Sequence, residues 1–223
     1  MTMPILFFAA GLGTRMGDLV KDQPKPLIRA AGRPLIDHAL DFAEIPEIGR
    51  RVVNIHYHGD MIRQHLRNKP VLFSDERTAL LETGGGLKKA LPMLQGNPVL
   101  TMNTDAVWKG PNPIQKILAS WQDHMEALLL LVPKDRAIGH LGKGDFSVAN
   151  DGQLTRAPGP IYTGLQIIRT DCVARIEKTA FSMNIVWDKI AARNGLYGCV
   201  YDGGWCDVGQ PESIPLATSM LHV

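Results

Sequence analysis

The chain has 223 residues, 45% hydrophobic and 21% charged, which is enough for one large globular domain with its own core. Its 24 Lys and Arg residues nearly balance its 22 Asp and Glu residues, which argues against a broad basic surface for nucleic acid or acidic membranes. We therefore expect a single domain over residues 1–223, in which any anion site is local.

The first half of the chain alternates short apolar runs with helical patterns. The runs predict strands at 3–10, 51–55, 70–73, 97–102 and 126–133, and the helical patterns lie at 34–45, 59–68, 85–94 and 113–125. Because the apolar runs are nearly continuous, they indicate strands that are covered on both faces. The order of elements therefore predicts an α/β fold, with helices on both faces of a mostly parallel, mixed sheet.

The pattern changes after Lys134. Asp151 and Gly152 stand between two short strand-like stretches within 142–156, which predicts a β-hairpin. We expect this small β insertion to form one wall of a pocket. The remaining segments predict strands at 161–169 and 196–202 and helices at 184–195 and 211–221, without a linker long enough to separate domains.

A glycine-rich turn, "AAGLGTRMG", follows the first predicted strand. It is not a dinucleotide fingerprint, whose third glycine would stand at Met16, and it is not a P-loop, because Asp18 follows Gly17. What remains is the mechanism common to both motifs, in which glycine amides approach a phosphate and cations lie beside them. A plain tight turn is the alternative.

Two cations accompany this turn. Pro24 and Pro26 restrict the backbone on both sides of Lys25, so we expect an extended segment that holds one ammonium group in place. Arg15, inside the turn, offers a planar fork that suits phosphate oxygens. The composition of the segment thus favours a phosphate ligand.

Three further elements stand at predicted strand ends or in loops. The three glycines of "ETGGG", Gly84 to Gly86, indicate close approach to a ligand, and a flexible helix entry is the alternative. Asp105 directly follows "VLTMN" and Asp207 lies in "GGWCDVG". Taken singly, Asp105 is explained as a helix N-cap and Asp207 as a turn residue.

The N-terminal run and the cysteines indicate the compartment. The run is too short to span a bilayer and has no cationic region before it, as a secretory signal would. Cys172, Cys199 and Cys206 are odd in number and have no C-x-x-C spacing, so neither a disulfide framework nor a zinc site is indicated. We expect a cytoplasmic protein that contacts neither membrane nor nucleic acid.

Taken together, these motifs resemble those of the sugar-1-phosphate nucleotidyltransferases. The resemblance rests on "AAGLGTRM", "QPKPL", "LETGGG", a strand-end aspartate and "DVG", in this order and over nearly the whole chain. Within that family, "LETGGGLKKALPML" and "GKGDF" are most similar to the N-acetylmuramate-1-phosphate uridylyltransferases of peptidoglycan recycling. One departure is Thr104, where the family usually has glycine before the strand-end aspartate.

The resemblance implies a Rossmann-like fold, Mg²⁺ as cofactor, and a role for each site residue. It implies that Arg15 contacts the leaving pyrophosphate, that Lys25 contacts the reacting phosphoryl group, and that Mg²⁺ is held by Asp105 and Asp207. It assigns the nucleotide to Ala10, Gly11, Gly13, Thr14, Glu82, Thr83, Gly84 and Gly85, and the sugar to Gly144, Asp145, Thr163 and Gly164.

The implied reaction joins a sugar 1-phosphate to an NTP, giving an NDP-sugar and pyrophosphate, with UTP and N-acetylmuramate 1-phosphate as the leading substrates. A phosphate monoester is largely ionised at neutral pH, because its second pKa is about 6, so no catalytic base is needed. The alternatives are a mannose- or heptose-1-phosphate guanylyltransferase and, in a different class, a non-catalytic nucleotide-sugar binding module.

Overall fold

Buried apolar strands form the centre of the protein, seen here in a computed structural model that describes residues 2–222. The strands are β1 Met3–Phe8, β2 Arg29–Ala30, β3 Arg33–Pro34, β4 Ile48–Ile55, β5 Leu72–Asp75, β6 Val99–Asn103, β7 Ala106–Lys109, β8 Ala127–Val132, β9 Ala137–Ile138, β10 Phe146–Val148, β11 Leu154–Arg156, β12 Ile161–Ile168, β13 Leu196–Val200 and β14 Gly204–Asp207. The α-helices are α1 Leu35–Asp41, α2 Gly59–His65, α3 Glu82–Leu94, α4 Pro113–Ser120, α5 Asp171–Ala174, α6 Met183–Ala191 and α7 Ser213–His222.

Seven strands form the central sheet in the order β13-β8-β12-β6-β1-β4-β5. Only β12 runs antiparallel to its neighbours β6 and β8, while the other pairs are parallel. This confirms the predicted mostly parallel, mixed α/β sheet. Ligands of such sheets bind beyond the carboxyl ends of the parallel strands.

Helices cover both faces of this sheet because successive side chains of each strand point to opposite sides. From β1, Ile5 and Phe7 are buried in the cluster that includes α1, α2 and α4, whereas Leu6 is buried in the cluster of α3, α5 and α6. All three side chains are fully buried. The near-continuous apolar runs of the sequence follow from this burial on both sides.

The structure also contains elements that the pattern did not predict. A three-stranded sheet, β7-β14-β9, packs against α7, and two short 3₁₀ turns cover Thr14–Val20 on either side of a kink at Gly17. These strands have only two to four residues, which is too short to show a period of two. Most predicted helices are shorter than expected, as α1 shows by ending at Asp41, whereas α3 is longer because it begins at Glu82.

The predicted hairpin is confirmed as β10 and β11, which pair antiparallel. Its Phe146 and Leu154 are buried in the cluster with α6, and the Arg156 guanidinium lies 5.4 Å from the ring centroid of Trp187. Backbone bonds of the turn at Gly152 reach β13. The hairpin therefore packs over α6 and the edge strand β13, and the expectation that it borders the sugar stays a prediction.

Between residues 2 and 222, none of the helices combines the length and the apolar character that crossing a bilayer requires.

Candidate active site

A cleft of about 190 Å³ opens at the carboxyl ends of β1, β4, β5 and β6. The parallel register sets Phe8 beside Asn54 of β4 and Asn103 of β6, so polar side chains from two strands flank the end of β1. The cleft is lined by Phe8, Ala9, Ala10, Gly11, Lys25, Pro26, Asn54, Glu76, Leu80, Glu82, Thr83, Asn103, Thr104 and Asp105.

The glycine-rich turn borders this cleft through Ala10 and Gly11. Further along, Gly13 adopts a φ of 66°, in the left-handed region, and caps the 3₁₀ turn that begins at Thr14. A Cβ atom at Gly13 would lie 2.9 Å from Lys25 Cβ. Glycine at this position therefore lets the turn pack directly on the lysine stem.

Lys25 is 7% exposed, and its Nζ donates to Asp105 Oδ2 at 2.8 Å. The expected extended conformation is wrong for Lys25 itself, because Lys25–Leu27 forms a 3₁₀ turn flanked by extended Pro24 and Ile28. Pro26 fits this turn, since its φ is fixed near helical values and an early turn position needs no N–H donor. The prediction that the prolines hold the ammonium group in place agrees with this geometry.

Asp105 and Asp207 come together across the small sheet, where β14 pairs with β7 and Val208 N donates to Asp105 O at 2.9 Å. Burial raises the pKa of Asp207, and the neighbouring Asp105 carboxylate raises it further. Lys25 and Arg15 act in the opposite direction. Two carboxylates in this environment favour a bound cation.

Arg15 reaches the same group of charges. A Cβ atom at Gly209 would lie 3.2 Å from Arg15 Nη1 and 3.1 Å from Asp207 Oδ2, so both side chains converge on this glycine. His140, which the sequence analysis did not select, places Nδ1 3.9 Å from Asp207 Oδ2. A lone histidine in a loop gives no sequence signal for such a position.

The carboxylate pair fits the donor preference of Mg²⁺, which takes oxygen ligands and completes its shell with water and substrate phosphates. No cluster of three or more His, Cys, Asp or Glu side chains suited to a metal occurs within residues 2–222. A cation at Asp105 and Asp207 would therefore depend on ligands from the substrates.

Thr104 has a structural role at this edge. Its Oγ1 donates to the Phe8 carbonyl oxygen at 2.8 Å, and the residue is 1% exposed. The hydroxyl joins the end of β6 to the end of β1 directly beside Asp105. Threonine in place of the family's usual glycine thus adds a hydrogen bond between the two strands that carry the cleft.

The three consecutive glycines are explained by packing within the protein, whereas the sequence indicated close approach to a ligand. All lie inside α3, and the amides of Gly84 and Gly85 donate to the Phe181 carbonyl oxygen. A Cβ atom would overlap the Phe181 ring at residue 84 and the Thr179 carbonyl oxygen at residue 85. Close approach of protein, rather than of a ligand, requires these glycines, while Glu82 and Thr83 line the cleft.

We predict that Gly85→Ala lowers the free energy of unfolding by about 1–3 kcal/mol, because the new methyl group meets backbone that cannot rotate away. Urea unfolding measures this loss. Gly11→Ala is the matched control, since no atom lies within 4 Å of its added Cβ, and we expect no more than about 0.5 kcal/mol there. Equal stability of the two variants would contradict the packing explanation.

A buried polar pair lines the cleft at the ends of β4 and β5, on the other side of β1 from β6. Asn54 and Glu76 are 2% and 1% exposed, and Asn54 Nδ2 donates to Glu76 Oε1 at 2.8 Å. Burial raises the pKa of Glu76. A Cβ atom at Gly86 would lie 2.9 Å from Glu76 Oε1, so the third glycine makes room for this pair.

The four residues assigned to the sugar lie in two places. Gly164, with φ 87°, makes room for Asn103, which lines the cleft. Thr163 Oγ1 donates to the Leu130 carbonyl oxygen and is buried. Asp145 Oδ2 accepts from Tyr162 N, and the backbone of Gly144 packs against Gly159. Because these side chains hold the protein together, their contact with a sugar stays a prediction.

Known proteins share both the sequence and the fold of this chain. A profile described as "MobA-like NTP transferase domain" matches residues 5–185. The chain is 34% identical to the N-acetylmuramate alpha-1-phosphate uridylyltransferase of Caulobacter vibrioides over 97% of this chain and 96% of that protein. It is 30% identical to the protein of the same name from Neisseria meningitidis serogroup B, over 93% of each.

Among solved structures, HddC from Yersinia pseudotuberculosis, complexed with GMP-PN, superposes with a TM-score of 0.80 over 99% of this chain and 100% of that one. The identity of 21% supports a shared fold alone. The profile match and the relatives, together with the clustered Arg15, Lys25, Asp105 and Asp207, show that this chain belongs to the MobA-like NTP transferase family, among its sugar-1-phosphate nucleotidyltransferases.

Proposed function

We propose that this protein joins UTP to N-acetylmuramate 1-phosphate, giving UDP-N-acetylmuramate and pyrophosphate. The observation that carries the reaction type is the cluster of two cations and two carboxylates around Lys25 and Asp105 at the mouth of the glycine-rich turn. The choice of substrates rests on the two relatives named as N-acetylmuramate alpha-1-phosphate uridylyltransferases.

The chemistry requires two anions to meet. An oxygen of the sugar 1-phosphate attacks the α-phosphorus of the NTP, a new P–O bond forms, and pyrophosphate leaves with the electron pair of the broken P–O bond. The attacking phosphate is already ionised, so no side chain has to remove a proton. Positioning and charge neutralisation remain as the work of the protein.

Each charged residue of the site would contribute to this positioning and charge neutralisation. Mg²⁺ held by Asp105 and Asp207 would neutralise phosphate charge between the reactants. Lys25, which is bonded to Asp105 without substrate, can turn its remaining donors to the reacting phosphoryl group. Arg15 offers the forked donor that suits the leaving pyrophosphate.

The proposed setting is a cytoplasmic step of peptidoglycan recycling. The three cysteines are free thiols, two buried and one half-buried, which fits a reducing compartment. The sugar that the relatives are named for is a component of the cell wall. Their names support this placement, and a metabolic test in the producing cell has to establish it.

We predict that pyrophosphate release is fastest with UTP and N-acetylmuramate 1-phosphate, by at least about 10-fold in kcat/KM over GTP with mannose 1-phosphate. The physical reason is that a site built around particular polar edges leaves them unpaired when the wrong base or sugar binds. The measurement is a matrix of four NTPs against a panel of sugar 1-phosphates.

Two other results of this matrix would replace the proposal. A preference for GTP with mannose or heptose 1-phosphate would make the protein a guanylyltransferase with the same chemistry. Nucleotide binding without pyrophosphate release from any pair would make it a non-catalytic binding module.

A further inference from the structure

One carboxylate of the cleft has no part in the phosphate chemistry. Glu76 follows β5, which β4 and β1 separate from β6, the strand before Asp105 and its partner Lys25. The charge of Glu76 would repel a phosphate placed beside it. The phosphates of an NTP belong beside Lys25 and the glycine-rich turn. The base of the nucleotide is therefore the part that meets Glu76, an argument that rests on the function proposed above.

The orientation of the neighbouring amide is fixed by the backbone. Asn54 Oδ1 accepts from Ala9 N at 2.7 Å and from Ala10 N at 3.2 Å. Backbone amides are donors only, so the oxygen of Asn54 must face them, and Nδ2 must face Glu76. The amide cannot flip without losing both backbone bonds inside a buried site.

The fixed amide in turn decides what Glu76 offers to a ligand. Oε1 accepts from Asn54 Nδ2, whereas Oε2 accepts no hydrogen bond from residues 2–222. Glu76 lines the cleft, so Oε2 is the acceptor available to a ligand. In its ionised form the carboxylate has acceptors only, and Oε2 is then suited to receive an N–H.

The bases differ at the centre of their pairing edge. Uracil and guanine carry a ring N–H there, and cytosine and adenine carry a lone pair. A free carboxylate oxygen therefore suits the ring N–H of uracil and disfavours the lone pair of cytosine.

We infer that Glu76 selects uracil over cytosine by accepting its N3–H, and that Asn54 makes this selection possible by fixing which oxygen is free. The same hydrogen bonds connect the proposed base site to the glycine-rich turn, because Asn54 accepts from the backbone amides of Ala9 and Ala10. A buried acceptor that is left facing a lone pair is unpaired, which penalises the wrong base.

The Glu76→Gln variant tests this inference, because Asn54 determines which end of the new side-chain amide faces the cleft. Asn54 Nδ2 requires an oxygen, so the side-chain amide introduced by this substitution must present its NH₂ group to the base. That donor suits the lone pair of cytosine and opposes the N3–H of uracil. We expect the ratio of UTP to CTP affinity, and of kcat/KM for the two, to fall by about 10- to 100-fold.

Wild-type protein provides a second test that does not depend on the variant. N3-methyl-UTP lacks the donor, and we expect calorimetry to show that it binds at least about 10-fold more weakly than UTP. Asp75→Asn is the matched control, because it makes the same change one residue away in a half-buried group paired with Arg63 and Arg77. Its UTP-to-CTP ratio should equal that of wild type.

The outcomes separate the inference from the proposed function. Equal binding of N3-methyl-UTP and UTP, or a Glu76→Gln ratio within about threefold of wild type in a folded variant, overturns the role of Glu76. Binding that follows the prediction without pyrophosphate release from any sugar 1-phosphate supports Glu76 while rejecting uridylyl transfer.

Discussion

Replacing either Asp105 or Asp207 by asparagine should reduce the rate of pyrophosphate release by at least about 10²- to 10³-fold. Asp105→Asn and Asp207→Asn keep the shape of each side chain but remove the charge that a cation between the phosphates requires. Steady-state kinetics with and without excess chelator measure this loss. Binding of Mn²⁺ in the presence of nucleotide, followed by electron paramagnetic resonance, gives a readout that is independent of turnover.

Asp202→Asn is the matched control for both variants. Asp202 lies on the surface close to β14 and pairs with Lys116 at 2.9 Å, so its charge is outside the cleft. We expect normal rates and normal Mn²⁺ binding in this variant. Full activity in excess chelator, or near-normal rates in both Asp105→Asn and Asp207→Asn, would reject the metal assignment.

The second large effect is expected at Lys25. Lys25→Ala should lower kcat by about 10²- to 10³-fold while changing nucleotide affinity much less, because the ammonium charge matters most as the two phosphoryl groups converge. Arg15→Lys should likewise fail to support normal turnover, since a point charge lacks the bidentate fork. Single-turnover rates and direct NTP binding separate the two quantities.

A control for Lys25→Ala is Lys21→Ala in the same segment. The Lys21 side chain is exposed, and its contacts with Tyr57 and His58 use the backbone carbonyl oxygen, which the substitution retains. We expect kcat close to wild type. Equal losses of affinity and rate in Lys25→Ala would reassign Lys25 to ground-state binding of the nucleotide.

The central sheet could be predicted from the sequence alone, because both faces of its strands are buried. Strands such as β1 and β8 are apolar on both faces, and such runs remain visible without knowledge of their partners. The charges at Arg15, Lys25, Asp105 and Asp207 were also found, since glycine, proline and strand-end positions mark them. Their assignment to particular phosphates and to Mg²⁺ stays a prediction.

What the sequence could not provide depends on contacts between distant segments. The glycines of α3 look like a ligand loop until Thr179 and Phe181 are seen packed against them. Nothing local indicates that Asn54 bonds Glu76 from the neighbouring strand end. The small sheet is equally hidden, because β7 has four residues and pairs with β14, and six strands and three α-helices lie between the two in the chain.

This late pairing has a consequence for the newly made protein. The strand that carries Asp207 is made later than Asp105 and later than all seven strands of the large sheet. Chains are made from the N-terminus, so the large sheet can begin to form while the carboxylate pair is still incomplete. A nascent or truncated chain that lacks β14 can therefore present the nucleotide cleft without the site for chemistry, and nucleotide binding should appear during synthesis before turnover does.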